Sequence, residues 1–238
     1  MPKININNFL TFHHLLKTLN HFNKINFFVQ VGAHDGSMHD PLCSFLSNNE
    51  WSGILIEPQE EILKIFKNRY KNRSNLLYYP LAVHPNQPRV KLYTIKNPIN
   101  YSQTGWATIL SDRLSNGKSK KELCIKDVKA MPLMDIVKKS KFKMIDLLQI
   151  DTEGFDYEVL KMFNFKIFKP ILVQFEFIHL SKNDYKNSIN LLSNNGYITI
   201  KKKNDIIAIK KNKINIILIF YYLFFRSKDS VKSRFGFN

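Results

Sequence analysis

VQVGAHDGSMHD, residues 29–40, carries a short apolar run into Gly32, three further residues and Gly36. A strand that ends in glycines at the mouth of a helix offers backbone N–H groups and a positive dipole end to a ligand, and the missing Cβ atoms allow close approach. By itself Gly-x-x-x-Gly is looser than the dinucleotide fingerprint and describes many ordinary loops. Position sharpens it. Glu57 lies 21 residues beyond Gly36, at the end of the next apolar run, SGILIEP. There a carboxylate can accept hydrogen bonds from both hydroxyls of a nucleoside ribose. The alternative for Glu57 is an exposed acid entering a turn at Pro58.

Outward from this stretch, strand-like and helix-like segments alternate, the pattern of a mostly parallel sheet covered on both faces. Strands are expected at Asn26 to Val31, at residues 52–57 and at NLLYYPLAV, residues 75–83. Helices are expected at residues 38–49, with Pro41 in the first turn, and at 59–72, with acids leading and bases trailing as the helix dipole prefers. The alternation lapses between about residues 84 and 143, where RVKLYTI and ELCIKDVKAMPL read as two strands flanking a polar loop. It returns with KMIDLLQIDTEG, a helix from Phe155 to Phe163, the strand PILVQFEF, a helix capped by Ser181 and stopped by Asn195-Gly196, and a hairpin turning at Lys203-Asn204. Residues 1–25 read as a helical extension with Phe9, Leu10, Phe12, His13, Leu16 and Leu19 on one face, 26–212 as the main domain, and 213–238 as an apolar and basic tail.

The balance of 36 Lys+Arg against 19 Asp+Glu gives a formal charge of +17, which favours anionic partners such as phosphorylated sugars, nucleic acid or lipid headgroups. A chain rich in Asn, Ile and Lys is equally what an AT-biased coding sequence produces. Cys43 and Cys124 lie far apart, outside any Cys-x-x-Cys spacing, so neither a disulfide framework nor a zinc site is signalled. With no signal-peptide pattern at the N-terminus, a cytoplasmic setting is expected. INIILIFYYLFF, residues 214–225, is 12 residues long. As a helix it would reach about 18 Å, short of the ~30 Å hydrocarbon core. Packing on the sheet edge or in a dimer contact is the expectation for it, with peripheral membrane contact the alternative.

Neither the tighter Gly-x-Gly-x-x-Gly turn nor a Lys-bearing phosphate loop is present, whereas S-adenosylmethionine, which has no phosphates, needs only a looser turn. The ordered set VQVGAHDG, GILIEP, LAV, LLQIDTEGFDYEVLKMF and VQFEF resembles the FkbM-type S-adenosylmethionine-dependent methyltransferases over about residues 27–209. The resemblance implies a class I methyltransferase fold of the α/β class: a mainly parallel seven-stranded sheet with an antiparallel last strand and helices on both faces. It also implies methylation of an oxygen, commonly a hydroxyl of a sugar, a glycoconjugate or a polyketide. Gly32, Ala33 and Gly36 would line the methionine part of S-adenosylmethionine, with His34 and Asp35 in the same turn. Glu57 would bind the ribose with Pro58 beside it, and Ala82 would lie near the adenine. Two positions depart from the pattern: Gln30 stands where many class I enzymes carry an acid, and His34 where the family often has Asn.

The chemistry needs an aligned methyl donor and acceptor and a base for the acceptor proton. Asp151 reads as facing the pocket from the rim where open α/β sheets bind ligands, or else as capping the helix near Phe155. Glu153 reads as a helix cap. Glu176 and His179, at the next strand end, are the candidates for taking the proton, since His titrates near neutral pH; a structural histidine is the alternative. Asp151 and Glu176 are too few ligands for a divalent cation, and none is expected. In the irregular loop, Tyr101, Trp106 and Arg113 are the expected acceptor contacts, Trp106 stacking on a sugar face and Arg113 pairing with a phosphate or carboxylate.

The resulting expectation is an O-methyltransferase acting on a sugar or glycoconjugate. A nucleic-acid methyltransferase is the first rival. KKSKFK and KKK speak for it, but there is no RNA-binding module and no Asp/Asn-Pro-Pro-Tyr type motif. A non-catalytic membrane-surface protein is the second.

Overall fold

The computed structural model describes residues 11–21, 25–37, 40–48, 51–115 and 123–214. Along the chain run α1 (Phe12–His21), β1 (Phe27–Val31), α2 (Cys43–Asn48), β2 (Ser52–Ile56), α3 (Glu60–Arg69), β3 (Leu76–Tyr79) and β4 (Ala82–Val83). Next come β5 (Arg89–Ile95), α4 (Ser111–Ser115), β6 (Leu123–Met131), α5 (Leu133–Ser140), β7 (Leu147–Ile150) and α6 (Asp156–Met162). The chain continues through β8 (Leu172–Glu176), α7 (Lys182–Asn194), β9 (Tyr197–Lys202) and β10 (Asp205–Lys210).

Seven strands form one sheet in the order β3-β2-β1-β7-β8-β10-β9. Neighbours from β3 to β8 pair in parallel, and β10 runs antiparallel to both β8 and β9. Because strand side chains alternate between faces, Phe28, Leu55, Leu147 and Leu172 pack against α1, α2 and α3, while Val29, Ile54, Leu148 and Val173 pack against α5, α6 and α7. Burying both faces explains why the central strands read as nearly continuous apolar runs, with one glutamine each in β1, β7 and β8. The order reverses at β1/β7, which opens a crevice at the carboxyl ends of the strands.

Four expectations change. Residues 75–83 are not one strand: Pro80, which has no N–H to give to a ladder, separates β3 from β4. The two-residue β4 instead pairs with β6 in a small sheet of order β4-β6-β5. The helix expected at 38–49 begins only at Cys43. The bond before Pro41 keeps Asp40 out of the helical region, and the Asp40 carboxylate accepts from the Leu42 N–H at 2.8 Å instead. Helix α5 was not anticipated, although Leu133, Ile136 and Val137, all buried, follow Pro132 at helical spacing. On α1 the buried face is Phe12, Leu15, Leu16, Thr18 and Leu19; His13 is exposed, and Phe9, Leu10 and residues 215–225 of the apolar run lie outside the described residues. Among the described residues, no helix is long and apolar enough to cross a membrane.

Candidate active site

The turn after β1 is built by two glycines with different partners. Gly32 has φ +80°, and a Cβ there would lie 1.7 Å from the Asp151 carbonyl oxygen. Gly36 has φ +65°, and its Cβ would lie 1.4 Å from the Phe66 ring of α3. Three of the N–H groups expected to face a ligand from this loop are engaged within the protein. Those of Gly32 and Ala33 both donate to the Ile56 carbonyl, at 2.9 and 3.0 Å, and that of His34 donates to the Glu57 carboxylate at 3.0 Å. With α2 starting seven residues beyond Gly36, no helix mouth stands next to it among the described residues either.

Above this turn lies a cavity of about 390 Å³. Its lining follows the sheet order: Leu81 and Ala82 beyond β3, Glu57 and Pro58 at the end of β2, Gly32, Ala33 and His34 at the end of β1, and Asp151 at the end of β7. Three strand spacings make this a slot about 14 Å long. Leu92 and Trp106 close the Ala82 end, and Gln30, Asp40 and Gln149 face the other. Asp35 and Gly36 do not line it. Asp35 instead holds the turn: it accepts from the Ser37 N–H and hydroxyl and from the Tyr101 hydroxyl at 3.1 Å.

Glu57 is 4% exposed and accepts from the N–H groups of His34 and Gln59, one on each oxygen. Each oxygen keeps a second lone pair, so the carboxylate is oriented without being saturated. Burial pushes its pKa up, against the pull of those N–H groups and of His34.

At the far end of the slot, Gln30 donates to Asp40 at 3.0 Å. This leaves Gln30 Oε1 and Asp40 Oδ2, together with Gln149 Oε1, buried with no hydrogen-bond partner among the described residues. Burial raises the Asp40 carboxyl to about 6. Asp40 and Gln149 were not singled out from sequence; an Asp directly before a proline was the available signal. Gln30, noted as lacking the acid found in many class I enzymes, has one brought to it by a residue ten positions on.

Asp151 opens to solvent through the cavity and is otherwise walled by protein. Burial and then the charges of Asp156, Glu176 and Glu153 hold its carboxyl well above the usual range. It is Asp156 that ties the β7–α6 turn, accepting from the Thr152 hydroxyl and the Gly154 N–H at 3.0 and 3.2 Å. Behind the cavity wall, Arg113 Nη2 donates to Glu153 at 2.7 Å and contacts His179 Nε2. His179 Nε2 also stands 3.5 Å from Glu176 Oε2.

Arg113 is therefore engaged inside the protein, not awaiting an acceptor's phosphate. Burial and then the Arg113 charge lower His179 to about 4, so the imidazole is neutral at neutral pH and its Nε2 is taken by the guanidinium. Glu153, Glu176 and His179 do bring ligand-type atoms within 4.8 Å of one another, but the Arg113 guanidinium supplies a cation to two of the three.

Burial together with Glu153 and Asp156 raises Glu176 from 4.5 to about 8. A raised carboxyl stabilises the fold fully below its unfolded pKa and loses that contribution as pH rises through the folded one. The melting temperature is thus expected to fall between pH 5 and 8.5, and Glu176→Gln to flatten the fall in a calorimetric pH series.

The strand order and the reversal at β1/β7, with a cavity at the carboxyl ends of the strands, are those of a class I methyltransferase fold. The sequence profile of the methyltransferase FkbM domain matches residues 30–199, and the chain belongs to that family of S-adenosylmethionine-dependent methyltransferases. No curated protein sequence matches the chain. Among solved structures it is similar to the methyltransferase FkbM from Methylobacillus flagellatus KT, at 16% identity and TM-score 0.47, with 78% of this chain and 44% of that one covered. It is similar to a Methanococcus jannaschii fibrillarin pre-rRNA processing protein, at 10% identity and TM-score 0.41 over 79% and 67%. It is also similar to the N-terminal domain of human METTL16 in complex with SAH, at 12% and 0.42 over 82% and 67%. The chain spans less than half the length of the first of these.

Proposed function

We propose that this chain transfers a methyl group from S-adenosylmethionine to a hydroxyl of a sugar or glycoconjugate. One observation carries the cofactor part: along the slot, apolar side chains, a buried acid and unpaired acceptors follow in the order adenine, ribose and ammonium of the cofactor require. The ammonium donates where Gln30, Asp40 and Gln149 lack donors. A loop whose N–H groups are turned inward suits a ligand without phosphates.

In the reaction the carbon–sulfur bond breaks as the carbon–oxygen bond forms in line, and the acceptor hydroxyl loses its proton to a base. Asp151 is the carboxylate that lines the slot with raised basicity. Glu176 and His179 stand behind Glu153 and do not line the slot.

Titration calorimetry with S-adenosylmethionine and S-adenosylhomocysteine tests the cofactor. Asp40→Ala is expected to weaken both about tenfold and to leave 5′-methylthioadenosine, which lacks the amino acid, unchanged. No binding of either ligand to folded protein would sink the proposal. For the chemical step, Asp151→Asn is expected to lower kcat by about 10²- to 10⁴-fold. Because an acid with a raised pKa ionises only at higher pH, the wild-type rate should rise with pH through that ionisation, and the Asn variant should lose the dependence.

A further inference from the structure

A second cleft, of about 620 Å³, adjoins the cofactor slot. Asp40 and Pro41 belong to the walls of both, so the two spaces meet at the ammonium end. The second cleft has a built floor. Gln174 of β8 is 8% exposed, donates to Asp205 of β10, and keeps an Oε1 with no partner among the described residues. A buried acceptor left bare keeps an uncompensated desolvation cost, which a ligand hydroxyl recovers. At the rim, the β9–β10 hairpin places Lys202 and Lys203 over the same space.

The loop expected to hold the acceptor is committed elsewhere. Arg113 pairs with Glu153, the Tyr101 hydroxyl donates to Asp35, and Trp106 lines the cofactor slot. At about 390 Å³ that slot is at the small end of ligand pockets and is filled by one cofactor-sized molecule. The acceptor needs other space, next to the first.

We propose that this second cleft is the acceptor site and that it takes a phosphorylated polyol. Hydroxyls donate to Gln174 Oε1 and Asp205, and the phosphate meets Lys203 beside Lys202. The assignment rests on the methyltransferase reading.

Cys43, a free thiol, lines this cleft, whereas Cys124, also free and comparably exposed, sits on β6 outside it. The test is iodoacetamide alkylation of the full-length protein saturated with S-adenosylhomocysteine, followed thiol by thiol by mass spectrometry. Glucose, mannose and galactose 6-phosphates and inorganic phosphate are the added probes. At about ten times its Kd, at least one sugar phosphate is expected to slow Cys43 about tenfold and to leave Cys124 unchanged.

Lys203→Asn, at an exposed turn with φ +35° that Asn tolerates, is expected to remove the protection without altering S-adenosylhomocysteine binding. Gln174→Leu is expected to do the same. If it does not fold, the Lys203 variant still decides. Equal protection by inorganic phosphate overturns the polyol assignment, as does an unchanged Cys43 rate with every sugar phosphate or an equal slowing of Cys124. Protection of Cys43 in protein that binds no S-adenosylhomocysteine overturns the methyltransferase reading and keeps the polyol site.

Discussion

Alanine at Gly32 is expected to cost about 3 kcal/mol or more, a large share of the roughly 5–15 kcal/mol by which a domain is stable. Its Cβ would sit 1.7 Å from the Asp151 carbonyl oxygen, on a backbone at φ +80°. The obstacle is main chain, and it is anchored, since the Asp151 N–H donates to the Val31 carbonyl at 2.9 Å. No rotamer change relieves it.

Gly36→Ala meets a side chain instead, the fully buried Phe66 ring. A second substitution, Phe66→Ala, should recover part of the loss at Gly36 and none at Gly32. Urea unfolding of the singles and doubles reads this coupling. Equal rescue at both glycines would mean that the Gly32 clash is also with something that can move.

Glu57→Ala should raise the Kd for S-adenosylmethionine by about 10²- to 10⁴-fold, since two hydrogen bonds to a charged group contribute roughly 1.5–3 kcal/mol each. It should also lower stability, because the His34 and Gln59 N–H groups lose their acceptor in a site 4% exposed. Glu57→Gln separates the two effects: one carbonyl oxygen still accepts, but the amide nitrogen faces the other N–H. Calorimetric titration of the Gln variant should show a loss in affinity intermediate between wild type and Ala. A wild-type affinity in the Ala variant would remove Glu57 from the cofactor site.

Much of this was legible before any coordinates. The nearly continuous apolar runs and the helical segments between them are local patterns, and they mark a doubly covered parallel sheet. The distance from Gly36 to Glu57 was informative because a strand, a turn, a helix and a parallel strand use a nearly constant number of residues. Where local rules misled, the cause was also local: Pro41 delayed α2, and Pro80 cut a strand in two.

The sequence by itself thus determined the fold class, the glycine turn and the acid at the end of β2, since each depends on residues close together in the chain. Tertiary structure decided what those residues face. The turn's glycines answer to Asp151 and Phe66, and its N–H groups to Ile56 and Glu57. Arg113 meets Glu153 and His179, and Gln30, Gln149 and Gln174 line up at one register on β1, β7 and β8. Such contacts follow from the order of strands in the sheet, which brings together side chains more than a hundred residues apart and which no short-range pattern encodes.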